Sequence, residues 1–206
     1  MIARSEAPAP RWLGGKPLVI ASHNEGKVAE IRSMIAPFNI RVLSAASAMI
    51  DEPEETGATF AANAELKARH ATTHSHIPSL ADDSGLVIPV LGGAPGVYSA
   101  RWAGPNKDFT IAFERIHQEL GNRAADAYFM CVLCLSLPSG ETFFFEGRTD
   151  GILTFPPRGS HGFGYDPIFI PNGHAITFGE MDADQKNCIS HRARAFEKFV
   201  AFVQQS

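Results

Sequence analysis

The sequence predicts an α/β protein, and three observations carry that prediction. The chain opens as strand, polar turn, helix, strand. Further on, two long β-rich runs flank Pro138-Ser139-Gly140 as the arms of a hairpin. The end of the chain has helical periodicity.

Taken in order, Leu18 to Ser22 (LVIAS) is a short buried strand. In KVAEIRSMIAPF, Val28, Ile31, Met34 or Ile35, and Phe38 share one stripe, and Pro37 marks the helix end. Ile40 to Ala45 suits a second strand. Asp51 to Glu55 is an acidic loop, after which Thr56 or Thr59 can cap a helix carrying Phe60, Ala64, Leu66 or Lys67, and Ala71. SLADDSGLVIPVLGGAPGVYSARWAG reads as strand, acidic turn, strand and a Gly/Pro-rich loop. Asn106 to Leu120 reads as a helix. GSHGFGYDPIFIP is a glycine-rich loop entering a short strand. From Met181 onward the pattern is a single helix. Asp182 and Gln185 stand at capping-box spacing, and Ile189, Phe196, Val200 and Val203 form the apolar stripe.

Composition bounds the function. The 206 residues suit one sizeable domain, and 45% hydrophobic with 19% charged is ordinary for a soluble enzyme. A net charge of -4 argues against a broad nucleic-acid surface, while leaving room for a local basic pocket. Three cysteines (Cys131, Cys134, Cys188) make no disulfide framework and point to a reducing compartment, hence the cytoplasm. The longest apolar stretch, Phe129 to Leu137, is too short to span a bilayer, so no membrane partner is expected. Residues 1–16 lack the apolar segment of a secretory signal and read as a disordered leader; residues 17–206 read as a single domain.

Two stretches carry the strongest chemical signal. In ASHNEGKVAEI, Lys27 stands at a helix start, where the backbone is already positive. Free N–H groups there seat phosphate, and Ser22, Asn24 and Gly26 can add donors or let a ligand approach. A plain strand–helix connection with a solvated lysine would share the pattern, and no Walker loop is present. Asp82-Asp83-Ser84-Gly85 places two carboxylates in what reads as a half-buried turn. Oxygen-only ligands of this kind suit Mg²⁺ bridging to phosphates, and one carboxylate can deprotonate a water. A solvated Asx-turn is the plainer alternative. Glu54 and Glu55 matter only if the fold brings them to Asp83. Lys186, His191 and Arg192 gather early in the last helix, against its dipole; an anionic or keto-bearing ligand, or a solvated basic face, would account for them.

Other motifs carry less. Cys131 and Cys134 lie three apart on a strand and face opposite sides, so zinc is not expected. His70, His74 and His76 have metal-ligand spacing, but an exposed helix end explains them. GSHGFG precedes a strand rather than opening a helix, which is not a dinucleotide fingerprint. GxSxG is absent.

Six stretches in order, ASHNEGKVAEI, EETGATFAANAELKARHA, LADDSGLVIPVLGGAPGVYSARWAG, GRTDGIL, GFGYDPIF and QKNCISHRARA, resemble the inosine/xanthosine triphosphate pyrophosphatases. The resemblance implies a two-lobed α/β fold around a long central mixed sheet with flanking helices, the active site lying in the cleft between lobes. It implies a Mg²⁺-dependent homodimer that cleaves ITP, dITP and XTP to the nucleoside monophosphate and pyrophosphate, removing deaminated purines from the nucleotide pool. By that pattern Ser22, His23, Asn24, Glu25, Gly26 and Lys27 hold the triphosphate. Asp83 accepts a proton and, with Asp82 and Glu55, binds metal. Asn63 and Lys67 face the phosphates, and Ser84 contacts substrate. Phe163, Gly164, Tyr165 and Asp166 form a loop against the base, and Lys186, His191 and Arg192 complete the pocket. Ser22 stands where the family usually has threonine, Gln185 where an acid is frequent, and Cys188 where a small apolar residue is usual. Two rivals are a Maf-like pyrophosphatase, whose first turn carries an arginine absent from SHNEGK, and a non-catalytic nucleotide sensor, which has no evident need for paired aspartates.

Overall fold

The structure is a computed structural model that describes residues 13, 15–38, 40–121, 123 and 125–205. The leader expected at residues 1–16 lies outside the described residues, except for Leu13, Gly15 and Lys16. Six strands, β1 (Leu18–Ile20), β2 (Val42–Ser44), β3 (Ser79–Val87), β4 (Asp126–Ser136), β5 (Thr142–Leu153) and β6 (Phe169–Pro171), form one sheet. Its order is β2-β1-β3-β4-β5-β6. β1 runs parallel to β2 and β3, whereas β5 and β6 are antiparallel, so the sheet is mixed. The helices are α1 (Glu25–Ile35), α2 (Phe60–Ser75), α3 (Ser99–Trp102), α4 (Phe109–Leu120), α5 (Ala183–Ile189) and α6 (His191–Gln205). None among the described residues is long and apolar enough to cross a membrane.

The residues divide into two compact units. One holds the described residues through Asp83, together with Val132–Glu146 and those from Ala195 on; the other holds Ser84–Cys131 and Gly147–Arg194. In the first unit, Val28, Ile31 and Ile35 of α1 are buried at the helical spacing the sequence displays, while Met34 and Phe38 are only half-buried. β1 is wholly buried, as a parallel strand covered on both faces should be. Phe145 of β5 meets Phe199 of α6 edge-on, with ring centroids 5.5 Å apart. Thr72 Oγ1 of α2 donates to the Ser136 carbonyl of β4.

The connections in this unit set up the site. The chain runs β1, α1, β2, then passes through α2 back across β1 to β3. Right-handed crossovers put α1 and α2 on opposite faces. The reversal of strand order between β1 and β3 is the place where open parallel sheets receive ligands. β1 ends at Ile20, opposite Leu80, while β3 continues past it. Asp82 and Asp83 therefore stand just beyond the end of β1.

The second unit packs Leu86 of β3, the following Ile88, Phe113 and Ile116 of α4, and Phe129, Tyr165, Phe169 and Phe178 into one core. α4 starts at Phe109 rather than Asn106, because Asp108 caps it: its carboxylate accepts the Thr110 N–H at 3.0 Å.

Two sequence expectations are corrected. Ser79 to Val87 is one continuous strand, without the acidic turn that DDSG suggested. The final helix is two helices that meet at Ser190, so Ile189 is not on the stripe of α6. There the buried side chains include Phe196 and Phe199, with Val200 and Val203 half-buried. Ser190 serves both ends: its N–H donates to the Lys186 carbonyl at 2.9 Å, and its Oγ accepts the Ala193 N–H at 3.1 Å.

Candidate active site

The first unit gathers lysines and carboxylates around β3. Asn24 caps α1, its side chain accepting the Lys27 N–H at 3.2 Å, and its own N–H donates to Ser22 Oγ at 3.1 Å. These bonds hold the turn from Ser22 to Lys27 in shape. His23 of the same turn contacts the Ile50 carbonyl at 3.0 Å. Lys27 reaches the Asp82 carboxylate at 2.5 Å. An anion does meet the cation at the helix start, and it belongs to the protein.

Successive side chains of a strand face opposite sides, and the ion pairs follow that rule. Asp82 turns to Lys27 of α1, and Asp83 turns to Lys67 of α2. Lys67 Nζ donates to Asp83 Oδ1 at 2.8 Å and to Glu55 Oε1 at 2.6 Å. Asn63, one turn earlier on α2, donates from Nδ2 to Asp83 Oδ2 at 3.4 Å. Its Oδ1 accepts the Gly57 N–H at 2.8 Å, which sets the amide's orientation. Gly57 must lack a side chain here, since a Cβ would sit 2.5 Å from Asn63 Oδ1.

Burial raises the Asp83 carboxyl above its ordinary value, against the pull of Lys67 and Lys27. Burial works to lower the Lys67 ammonium, but Asp83 and Glu55 outweigh it and hold that group above its ordinary value. The result is a fixed cation beside a carboxylate that accepts a proton more readily than a solvated one. Glu55 and Asp83 converge on a positive charge, and their oxygens are the donor type a hard divalent cation takes. Asp82 has no exposed side-chain surface and points to the other face.

The second unit builds a cluster around Asp166 and Arg192. Asp166 Oδ2 accepts from Lys186 Nζ at 2.6 Å and from the Phe163 N–H at 2.8 Å. Gly162, at φ +72°, is required beside it, because a Cβ would meet the Asp166 carboxylate. Arg192 is buried and donates from Nη2 to Ser84 Oγ at 2.9 Å. Lys186 and Arg192 lie 4.7 and 5.6 Å from the centroid of the Phe163 ring. His191 stacks on Phe129, with rings 4.7 Å apart and 10° from parallel.

The sequence-predicted residues thus fall into two sets. Ser22 to Lys27, Glu55, Asn63, Lys67, Asp82 and Asp83 lie in the first unit, where Glu55, Asn63, Lys67 and Asp83 are in direct contact. Ser84, Phe163 to Asp166, Lys186, His191 and Arg192 lie in the second. Tyr165 is a core residue there; its hydroxyl donates to the Ser99 carbonyl at 2.8 Å, and burial raises its phenol. Phe163 and Gly164 are half-exposed. Lys186 belongs to the last turn of α5, where a cation suits the dipole, so only His191 and Arg192 start a helix. Ser99 and Ser190 were not singled out in the sequence. Ser99 Oγ accepts the Leu86 N–H at 3.0 Å and supports β3 just after Ser84 and Gly85. The Ser190 to Ala193 spacing was its only signal.

The fold and the first unit's cluster define an α/β protein that collects lysines and carboxylates where the strand order reverses among the parallel strands of a mixed sheet. The chain belongs to the Ham1 family, whose model matches residues 18–202. A relative from Rhodospirillum centenum, named dITP/XTP pyrophosphatase, is 55% identical over 197 residues, covering 94% of this chain and 97% of its own. One of the same name from Caulobacter vibrioides is 50% identical, covering 91% and 97%. The Staphylococcus aureus Ham1 protein has a solved structure similar to this fold, with a TM-score of 0.83 at 38% identity over 92% of this chain and 99% of that one.

Proposed function

We infer that this chain is a nucleoside triphosphate pyrophosphatase for non-standard purine nucleotides. It hydrolyses ITP, dITP and XTP to the monophosphate and pyrophosphate. The names of its relatives support the substrate class. The observation that carries the chemistry is the buried Lys67–Asp83 pair with the half-buried Glu55 beside it, which joins a proton acceptor to a fixed cation.

Asp83 accepts the proton of a water as its oxygen bonds to phosphorus. The bridging bond between the α- and β-phosphates breaks, and pyrophosphate leaves. Asn63 holds the second oxygen of Asp83, which keeps the carboxylate aimed during proton transfer. Lys67 and Lys27 take up charge developing on the phosphates. Ser22, His23, Asn24, Glu25, Gly26 and Lys27 cradle the triphosphate at the N-terminus of α1. Glu55 and Asp83 would hold Mg²⁺, which supplies charge neutralisation at the phosphate oxygens; Asp82 joins them only by releasing Lys27. In the second unit, Ser84, Phe163, Gly164, Asp166, Lys186, His191 and Arg192 serve the base, and Tyr165 anchors their loop in the core. Phe163 offers a ring face, and the cations offer donors to a 6-keto oxygen.

Residues 17–206 constitute one catalytic domain, acting as a cytoplasmic homodimer without nucleic-acid or membrane partners. The test is hydrolysis of a panel of triphosphates with and without Mg²⁺, with pyrophosphate and orthophosphate assayed separately. Mg²⁺-dependent pyrophosphate release from ITP and XTP, with little from ATP or GTP, is expected. Orthophosphate as the direct product would mean that a different bond breaks. Asp83→Asn should reduce turnover by about 10²–10⁴ while nucleotide still binds. Unchanged turnover removes Asp83 from its role, and ITP binding without any hydrolysis favours the sensor.

A further inference from the structure

Beyond the cluster around Lys67, α2 carries a second constellation of ligating groups. The carboxylate of Asp51 and the imidazoles of His70 and His74 bring their donor atoms within 4.8 Å of one another. His70 and His74 are four apart on one helix face, with ring centroids separated by 4.2 Å. His74 Nδ1 lies 2.8 Å from the His70 carbonyl oxygen. A carbonyl only accepts, so Nδ1 carries the hydrogen, and in the neutral ring Nε2 keeps its lone pair for another partner. That is how outer hydrogen bonds orient metal-bound histidines.

His70 Nε2 lies 3.0 Å from Asp51 Oδ1. Two ligands of a tetrahedral zinc ion, each bound at about 2.0 Å, stand about 3.3 Å apart. The pair is therefore near the separation at which both could bind one ion. An exposed histidine–aspartate contact alone contributes little to stability and needs no third residue. The fixed tautomer of His74 on the same face is what a simple pair leaves without a purpose.

We propose that Asp51, His70 and His74 form a site for a borderline divalent transition metal such as Zn²⁺ or Co²⁺, separate from the oxygen-ligand site at Glu55 and Asp83. Two imidazoles and a carboxylate suit such ions, whereas Mg²⁺ is bound by oxygen alone. Asp51 is 80% exposed in its side chain, so water can complete the coordination. The bound ion clamps the acidic loop onto α2. Glu55 of that loop already pairs with Lys67, so the ion adds a second attachment about one turn along the helix.

The test uses the full-length protein, free of nucleotide and with Mg²⁺ in excess, titrated with Co²⁺. The expected result is a visible ligand-field absorption that saturates at one equivalent and is abolished by stoichiometric Zn²⁺. His70→Ala and His74→Ala should each weaken Co²⁺ binding by about tenfold or more. Asp51→Asn should also weaken it, without risk to the helix. Because no substrate is involved, the result is independent of the proposed hydrolysis. Absence of the band in the parent protein overturns the proposal. So does Co²⁺ affinity unchanged by both histidine substitutions, which would place the ion elsewhere.

Discussion

Replacing Lys67 with methionine tests the electrostatic core of the first unit. The substitution keeps most of the apolar stem and removes the ammonium that bridges Glu55 at 2.6 Å and Asp83 at 2.8 Å. Lys67 and Asp83 have only 8% and 7% of their side-chain surfaces exposed, so water cannot readily replace the lost partner. Breaking a buried pair in this way costs about 3–5 kcal/mol. Glu55, at 26% exposed, can be rehydrated, so most of the penalty falls on Asp83. The folded-state carboxyl of Asp83 is already raised by burial, and losing Lys67 raises it further. For an acid raised on folding, the penalty is absent below its unfolded value. It grows as the pH climbs to the folded value. A single site changes stability by at most about 1.4 kcal/mol per pH unit, so the loss should shrink between about pH 7.5 and about pH 4.5, where the lower value approaches the ordinary carboxylate range. Urea unfolding of parent and variant, in chelator-treated buffer at both pH values, measures the difference. A loss below about 1 kcal/mol at the higher pH, or a loss of equal size at both, would refute a buried and mutually dependent pair.

Three further outcomes are expected. Arg192→Gln should reduce discrimination of ITP from ATP by about tenfold or more, the value of a charged hydrogen bond; kcat/KM for both substrates measures this, and an unchanged ratio removes Arg192 from base selection. Gly85→Ala should destabilise the fold by about 1–3 kcal/mol, read as a lower Tm. A Cβ there would lie 2.3 Å from Ser99 Oγ and 2.5 Å from the Gly96 carbonyl oxygen. Iodoacetamide should modify Cys188 in the native protein, while Cys131 and Cys134 react only on unfolding. Cys188 is exposed, the other two are buried, and burial pushes the Cys134 thiol up to about 12; intact mass shows the number of adducts.

Much of the fold was legible because its signals are local. The stripe of α1, the cap at Thr59, the β4–β5 hairpin and the Asp182–Gln185 capping box depend on residues within a turn or two of each other. The course of β3 through DDSG was not legible. Aspartate, serine and glycine are poor strand residues and good turn residues. What keeps them extended comes from a distance: Lys27, 55 residues before Asp82, and Lys67, 16 before Asp83. The same long-range term hid the value of Glu55, which looks like one acid among several until Lys67 selects it. Ser190 was missed for a different reason. Serine does little harm to helical periodicity, and only its backbone, at ψ 156°, shows that one helix stops and another begins.

The alternation of β3 has a consequence for insertions and deletions. With Ser79 and Leu80 held in register by β1, removing Ala81 would draw the chain forward by one position and turn each following side chain over. Asp82 would then face α2 and Asp83 would face α1. Both aspartates and both lysines would remain, and the composition of the cluster would be nearly unchanged. Yet the carboxylate next to Asn63 and Glu55 would be the wrong one. In this segment, counting residues matters as much as choosing them, and a change in length is a more severe mutation than most substitutions.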